Sequence, residues 1–352
     1  MTNHDNSPDS TPDNSPDNTP DSTAMTAAIA AAAAVRASTS PNPWVGAVIV
    51  SADGELVAVG ATEPPGGRHA EIVALDAAGD AAADATLVCT LEPCSHHGRT
   101  PPCTDAIIAA GIRRAVVGVT DPDPKVAGTG IDALRQAGIE VDIGTLADEA
   151  ETQLAPYLHH RRTGRPYVIC KLAMSADAGI AAPDGTSQWI TGDEARLDAH
   201  RLRAESDAIL VGAGTVRADD PALTVRHVDG DDPLRVVLGA APAGAKVHPC
   251  LEWAGELDDL LDELGDRGVV QLMVEGGSSV VGSFHAAGLV DRYVLYLAPA
   301  LFGGSDAKAA LGGATAPTIA DIWRGRFDSI ERVGDDLRIE LIPLDPSLRE
   351  GT

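Results

Sequence analysis

Residues 85–103 read ATLVCTLEPCSHHGRTPPC. The opening ATLVCTL (Ala85–Leu91) is a short apolar run, the pattern of a strand buried on both faces. Glu92-Pro93-Cys94 leaves that strand. Cys103 opens a helix over Cys103–Ala110, closed by Gly111. Working outward toward the N-terminus, a helix is predicted from His69 to about Ala78, ending at Gly79. WVGAVIV (Trp44–Val50) and ELVAVGA (Glu55–Ala61) flank Asp53-Gly54, a hairpin signal. Thr26–Ser38 is alanine-rich and helix-favouring. Toward the C-terminus, RAVVGVT (Arg114–Thr120) reads as a strand, Gly130–Ala137 as a helix and IEVDIG after it as a strand. Strands alternating with helices predict an α/β sandwich with a largely parallel sheet.

The polar residues of this frame fall in a chemically specific order. His69-Ala70-Glu71 opens one helix, Pro93-Cys94 follows a strand, and Cys103 opens the next helix. An H-x-E with a later P-C and a second cysteine is the arrangement of zinc deaminases. Two thiolates and one imidazole hold Zn²⁺ and leave a fourth position for water, whose pKa the metal lowers. Glu71, two residues from the histidine ligand, is placed to shuttle that water's proton. The expected ligands are therefore His69, Cys94 and Cys103. His96 and His97 sit in the insert between the cysteines and are not read as ligands. Cys89 lies mid-strand and reads as core.

The remaining composition narrows the function. The chain has 352 residues with 26 Lys+Arg against 52 Asp+Glu, a formal charge of −26. That length suggests two domains, and the acidity argues against nucleic acid and anionic lipid as partners. Five unevenly spaced cysteines are not a disulfide framework. No segment has the basic start and apolar run of a signal peptide, and none is long enough to span a bilayer, so a cytoplasmic protein is expected. Residues 1–24 carry a period-four SPDS/TPDN repeat. Proline at every fourth position predicts a disordered acidic tail there. The deaminase-type domain is then expected over 25–146, a connecting segment over 147–165, a second α/β domain over 166–345 and a short tail over 346–352.

That second half lacks the dinucleotide G-x-G-x-x-G fingerprint after its first strand, YVICKLAMS (Tyr167–Ser175). It instead carries VEGGSSVVGSFH (Val274–His285), a strand running through a glycine turn into a helix. Free backbone N–H groups at such a turn suit a pyrophosphate.

TLEPCSHHGRTPPC (Thr90–Cys103), SPNPWVGAVIV (Ser40–Val50), PPGGRHAE (Pro64–Glu71) and DPDPKVAGTG (Asp121–Gly130) closely resemble the bifunctional riboflavin-biosynthesis deaminase/reductase family. CKLAMSADAGIA (Cys170–Ala181), SQWITG (Ser187–Gly192) and ADDPALTVR (Ala218–Arg226) resemble its reductase half. The resemblance covers about residues 25–345. It implies a cytidine-deaminase-like α/β/α domain followed by a dihydrofolate-reductase-like α/β domain. It implies zinc-dependent deamination of a phosphoribosylamino-diaminopyrimidinone, then NADPH-dependent reduction of the ribosyl group to ribityl.

Carried over by position, Asn42, His96, Arg99, Asp121 and Asp123 hold the deaminase substrate. Arg99 stands where the family often has lysine. Asp123 stands where it usually has asparagine, which can donate as well as accept. Lys171, Ser187, Arg203, Leu223, Arg226 and Glu275 hold the reductase substrate. Met174, Trp189, Thr215, Asp219 and the turn Gly277, Ser278, Ser279, Val280, Val281, Gly282 and Ser283 hold NADPH. Between Val237 and Val269 the chain is shorter than the family pattern, with KVHPCLEW (Lys246–Trp253) in place of a longer strand-containing segment. The expected partner is a phosphorylated pyrimidine, and a dimer or tetramer is the prior for such an enzyme. Two alternatives stay open from the residues alone: a one-site enzyme of the same pathway, and a nucleic-acid or nucleoside deaminase.

Overall fold

Thr19 caps the first helix. The computed structural model describes residues 19–96 and 101–344. The proposed tail up to residue 18, Arg99 and its neighbours, and the chain from residue 345 lie outside the described residues. Helix α1 spans Pro20–Thr39, starting ahead of the Thr26 expected from alanine content. The tail boundary at residue 24 is therefore corrected: residues 20–24 are helical, and Ser22 and Ala24 are buried. The reason is local. Thr19 Oγ1 accepts from the Ser22 N–H at 3.1 Å, and Ser22 Oγ accepts from the Thr19 N–H at 2.9 Å, a reciprocal cap. Pro20 sits in the first turn, where its missing N–H costs nothing. Asp21, expected among the tail acids, instead receives both Nη atoms of Arg114 at 2.9 and 2.7 Å.

Contacts divide the chain into two units. The first comprises residues up to Val35 and Trp44–Leu154. Its five strands are β1 (Gly46–Val50), β2 (Leu56–Ala61), β3 (Thr86–Leu91), β4 (Arg114–Val119) and β5 (Glu140–Ile143), in the order β2-β1-β3-β4-β5. β1 pairs antiparallel with both β2 and β3, as the Asp53-Gly54 hairpin requires, and β3-β4-β5 is parallel. The sheet is thus mixed rather than largely parallel. Helices α2 (Ala70–Ala78), α3 (Cys103–Ala109) and α4 (Thr129–Gln136) link the strands. In β3 and β4 every residue after the first is buried, which accounts for their unbroken apolar sequence. Helix α5 (Ala147–Thr163) occupies the expected connecting segment, and the division between units falls within it, at Leu154/Ala155.

The second unit comprises Arg36–Pro43 and the chain from Ala155. Its elements are β6 (Tyr167–Ser175), β7 (Gly179–Ala181), α6 (Asp193–Ala204), β8 (Ala208–Gly212), α7 (Ala213–Asp219), β9 (Leu234–Leu238), β10 (Leu251–Trp253), α8 (Leu257–Asp266), β11 (Gln271–Val274), α9 (Ser278–Ala286), β12 (Arg292–Ala298), β13 (Lys308–Ala309), β14 (Gly325–Val333) and β15 (Asp336–Pro343). Eight strands form one sheet in the order β10-β9-β8-β11-β6-β12-β15-β14. It is parallel from β10 to β12, then antiparallel through β15 and β14. Buried aliphatic clusters cover both faces, one around Leu210, Leu272 and Phe284, the other around Ile209, Met273 and Tyr296. The carboxyl ends of β6, β8 and β11 thereby gather at one rim, where an open α/β sheet places its ligand crevice. The segment between Val237 and Val269 carries an edge strand, β10.

Candidate active sites

In the first unit, three sequence-distant side chains converge. His69 is the residue before α2, with extended rather than helical backbone (φ −75°, ψ 158°). Its Nδ1 lies 3.2 Å from Cys103 Sγ and 3.6 Å from Cys94 Sγ. The three ligand atoms all fall within 4.8 Å of one another. One nitrogen and two sulfurs so placed fit Zn²⁺ with one coordination position left over.

The start of α3 prepares one thiolate. The Cys103 backbone N–H donates to Cys94 Sγ at 3.4 Å. The Cys103 thiol and His69 also bond the Cys94 sulfur, holding it down at about 4. Cys103 is pushed up by that partner and by burial. Glu71, on the first turn of α2, is 4% exposed. Burial pushes its carboxyl up, against the pull of His69. A carboxyl group beside the metal position and shielded from water can hold or release a proton.

Glu92 is a residue whose role the sequence reading missed. Its carboxylate is 4% exposed and accepts four backbone N–H groups. Asp121 and Gly128 donate to Oε2 at 3.3 and 3.0 Å; Gly130 and Ile131 donate to Oε1 at 2.9 and 3.2 Å. One side chain at the end of β3 therefore holds the 121–128 loop and the start of α4, where a carboxylate also suits the helix dipole. Gly130 makes the approach possible, since a Cβ there would sit 1.9 Å from the Pro93 carbonyl oxygen. Glu92→Gln turns two of the four contacts from attractive to repulsive. It is expected to destabilise the first unit by about 3 kcal/mol, measured as a lower denaturant midpoint. An unchanged midpoint would contradict the clamp.

The other expected substrate residues are more scattered. Asp121 is buried, and its Oδ1 accepts the Asp123 N–H at 2.9 Å. Asp123 Oδ1 accepts the Lys125 N–H at 3.0 Å, so it needs no donor group to play this part. His96 is exposed. Asn42 lies in the turn after α1, its N–H on the Thr39 carbonyl, among the residues grouped with the second unit.

In the second unit, a cleft of about 240 Å³ opens at the rim of the sheet. Lys171, Ser187, Thr215, Asp219, Glu275 and Gly277 line it, all expected from sequence. At its floor Glu275 is bracketed by two cations. Lys171 Nζ donates to Oε1 at 3.0 Å and Arg203 Nη2 to Oε2 at 2.7 Å. Burial alone would raise the Glu275 carboxyl, but the two charges outweigh it and hold it at about 2. Lys171 also lies 5.7 Å from the Tyr296 ring centre. Arg203 is anchored by the Thr224 carbonyl at 2.7 Å, and its Nε is buried without a partner among the described residues.

The remaining residues divide between rim and core. Trp189 is 69% exposed, with Arg196 stacked 4.6 Å over its ring. Arg226 is exposed, and its N–H donates to His200 Nδ1 at 3.2 Å. Burial and the Arg203 and Arg226 charges hold His200 down at about 4, leaving it a neutral acceptor. Leu223 is buried, with φ 54°. Met174 packs against the core.

The expected Gly277–Ser283 turn is corrected. Only Gly277 belongs to the turn, and Ser278–Ala286 is helix α9. Val281 is fully buried, and a Cβ on Gly282 would sit 2.1 Å from the Gly312 carbonyl oxygen, so both serve packing. A Cβ on Gly277 would have Thr215 Oγ1 and Lys308 Nζ as its nearest neighbours, at 3.6 and 4.0 Å. Lys308, from the short strand β13, is a cation of the cleft that sequence reading missed.

A buried carboxyl beside a one-nitrogen, two-sulfur metal position defines a zinc deaminase. A cation-bracketed carboxylate in a crevice at the carboxyl ends of parallel strands suits a reductase site in the other unit. Comparison with known proteins resolves the pair further. Residues 18–119 match the cytidine and deoxycytidylate deaminase zinc-binding region, and residues 166–339 match the RibD C-terminal domain. The riboflavin biosynthesis protein RibD of Mycobacterium tuberculosis H37Rv is 45% identical over 88% of this chain and 93% of its own length. That of Escherichia coli K12 is 40% identical over 87% and 95%. The structure of Acinetobacter baumannii RibD, form 1, superposes with a TM-score of 0.85 at 36% identity, covering 93% of this chain and 99% of that one. The Thermotoga maritima diaminohydroxyphosphoribosylaminopyrimidine deaminase/5-amino-6-(5-phosphoribosylamino)uracil reductase gives 0.84 at 32% identity, covering 92% and 99%. The chain belongs to the RibD family of bifunctional riboflavin-biosynthesis enzymes, with a zinc deaminase domain and a reductase domain. That family assignment goes against a one-site enzyme and a nucleic-acid deaminase. Among the described residues, no helix is long and apolar enough to cross a membrane.

Proposed function

We propose that the first unit deaminates 2,5-diamino-6-(5-phosphoribosylamino)pyrimidin-4(3H)-one and the second reduces the ribosyl group of the product with NADPH, giving 5-amino-6-(5-phosphoribitylamino)uracil. The observation that carries the reading is the buried Glu71 carboxyl beside the convergent His69, Cys94 and Cys103. These three residues hold the zinc, which when bound supplies the charge that activates the attacking water. Glu71 would take the water's proton and pass it to the pyrimidine ring nitrogen, then take the proton of the hydroxyl on the resulting tetrahedral adduct and pass it to the amine, which leaves as ammonia as the carbonyl forms. Glu92 keeps the Asp121–Asp123 loop in place for the substrate, with His96 and Arg99 as the substrate's other contacts in that unit.

In the second unit the nicotinamide cofactor, when bound, supplies the hydride. Gly277 and the start of α9 would hold its pyrophosphate, with Lys308 as a further cation of the cleft. Trp189, Thr215 and Asp219 would be its other contacts. Lys171 orders the opened ribose, with Glu275 receiving its hydroxyls and Arg203 and Arg226 its phosphate.

The decisive experiment incubates purified protein with the diaminopyrimidinone phosphate, with and without NADPH. Ammonia release is expected without NADPH, and NADPH oxidation only after deamination. Cys103→Ser is expected to lose most of the bound zinc from the deaminase centre and all ammonia release, while still oxidising NADPH when given the deaminated substrate. Full zinc content in that variant would remove Cys103 from the ligand set.

A further inference from the structure

The segment between β9 and α8 carries a second group of ligand-type side chains. His248, Cys250 and Glu252 recur at every second position of KVHPCLEW, leading into β10. β10 is the terminal strand of the eight-stranded sheet, so this group stands at an edge with solvent access.

The geometry is that of a coordination site. The ligand atoms of the three side chains all lie within 4.8 Å of one another. Cys250 Sγ is 3.5 Å from His248 Nδ1. Zinc bonds of about 2.3 Å to sulfur and about 2.0–2.1 Å to nitrogen at a tetrahedral angle place those atoms about 3.6 Å apart. The deaminase centre shows the same spacing between Cys94 Sγ and His69 Nδ1, 3.6 Å.

The histidine is also oriented for coordination. His248 Nε2 lies 3.2 Å from the Pro242 carbonyl oxygen. A carbonyl can only accept, so the ring proton resides on Nε2 and the Nδ1 lone pair faces Cys250. That is the tautomer a metal ligand needs, set by the partner such ligands usually have. Glu252 is steadied by the Ala241 N–H, which donates to Oε1 at 3.0 Å, and Oε2 remains to coordinate.

We propose that His248, Cys250 and Glu252 form a second metal site, separate from the deaminase centre, for a divalent cation of the Zn²⁺ class. A thiolate with an imidazole selects such a cation over Mg²⁺ or Ca²⁺. On binding, the Cys250 thiol gives its proton to water, and thiolate and carboxylate together neutralise the cation. The metal ties the turn around Pro242 to the sheet edge. A fourth position stays open to water.

The test is metal analysis of the full chain after dialysis in a zinc buffer, with wild type, Cys250→Ser, His248→Gln and Glu252→Gln side by side. Wild type is expected to bind one zinc equivalent more than the Cys250 and His248 variants, and Glu252→Gln to bind that equivalent more weakly. Cobalt substitution reads the same site by its chemistry: the thiolate-to-cobalt absorption should fall by the share of one thiolate in Cys250→Ser. His248→Gln and Glu252→Gln replace exposed side chains, so they report even if Cys250→Ser folds poorly. Deaminase and reductase rates are expected to stay unchanged in all three. Equal zinc content across the four proteins, with unchanged cobalt absorption, would overturn the site.

Discussion

Glu71→Gln is expected to abolish deamination while leaving the zinc in place. The side chain sits beside the metal position and is not counted among the ligands, so the donor set of His69, Cys94 and Cys103 survives the change. Glutamine has nearly the same shape and cannot exchange a proton. General acid–base catalysis of this kind is worth about 10²–10⁴-fold in rate, and the loss should appear in kcat with little change in KM. Folding should not suffer. Burial already disfavours the ionised carboxylate at this position, so a neutral amide removes a desolvation cost. Reduction of separately supplied deaminated substrate should continue at the wild-type rate. Turnover within about threefold of wild type would remove Glu71 from the proton path.

Glu275→Gln should produce the mirror result: reduction lost, deamination retained. Glu275 is the shared partner of Lys171 and Arg203, at 3.0 and 2.7 Å. Neutralising it leaves two cations facing one another in a poorly solvated cleft. Breaking such a partnership costs about 3–5 kcal/mol, and both cations should swing away from their working positions. Displacement of positioning groups by about 1 Å costs about 100-fold in rate, so reductase kcat/KM is expected to fall at least that far. Ammonia release should stay within about twofold.

The same network sets an acid limit on the second unit. The folded carboxyl of Glu275, at about 2, lies below its ordinary value of 4.5. A depressed folded pKa contributes stability that is fully present above 4.5 and lost as pH falls through the interval down to about 2. The wild-type protein should therefore lose stability across that interval more steeply than the Glu275→Gln variant. Parallel pH–stability curves for the two would contradict the bracketed carboxylate.

Sequence reading reaches furthest where residue type matters most. His69, Cys94 and Cys103 stand out by residue type before a helix, after a strand and at a helix start, and their ligand atoms do converge in the fold. Pairing was legible where a turn dictated it, as in the Asp53-Gly54 hairpin. Reading failed where one local signal outweighed another. The proline repeat predicts a disordered tail through residue 24, but the Thr19–Ser22 cap starts α1 at Pro20. The serines and glycine of Ser278–Ser283 extend the apparent glycine turn and hide the packing that makes α9 a helix.

By itself, then, the sequence determined the α/β character, the two-part organisation, and which residue types to look for at the deaminase centre. These depend on residue type and on spacings of a few positions. Tertiary structure alone decided which charges act together. Glu92 gathers backbone groups from Asp121 to Ile131. Glu275 joins Lys171 and Arg203 from two other elements, and Lys308 reaches Gly277 from a strand of two residues. No periodicity encodes such meetings, because they exist only once the sheet has set its strand order and brought the strand ends to one rim.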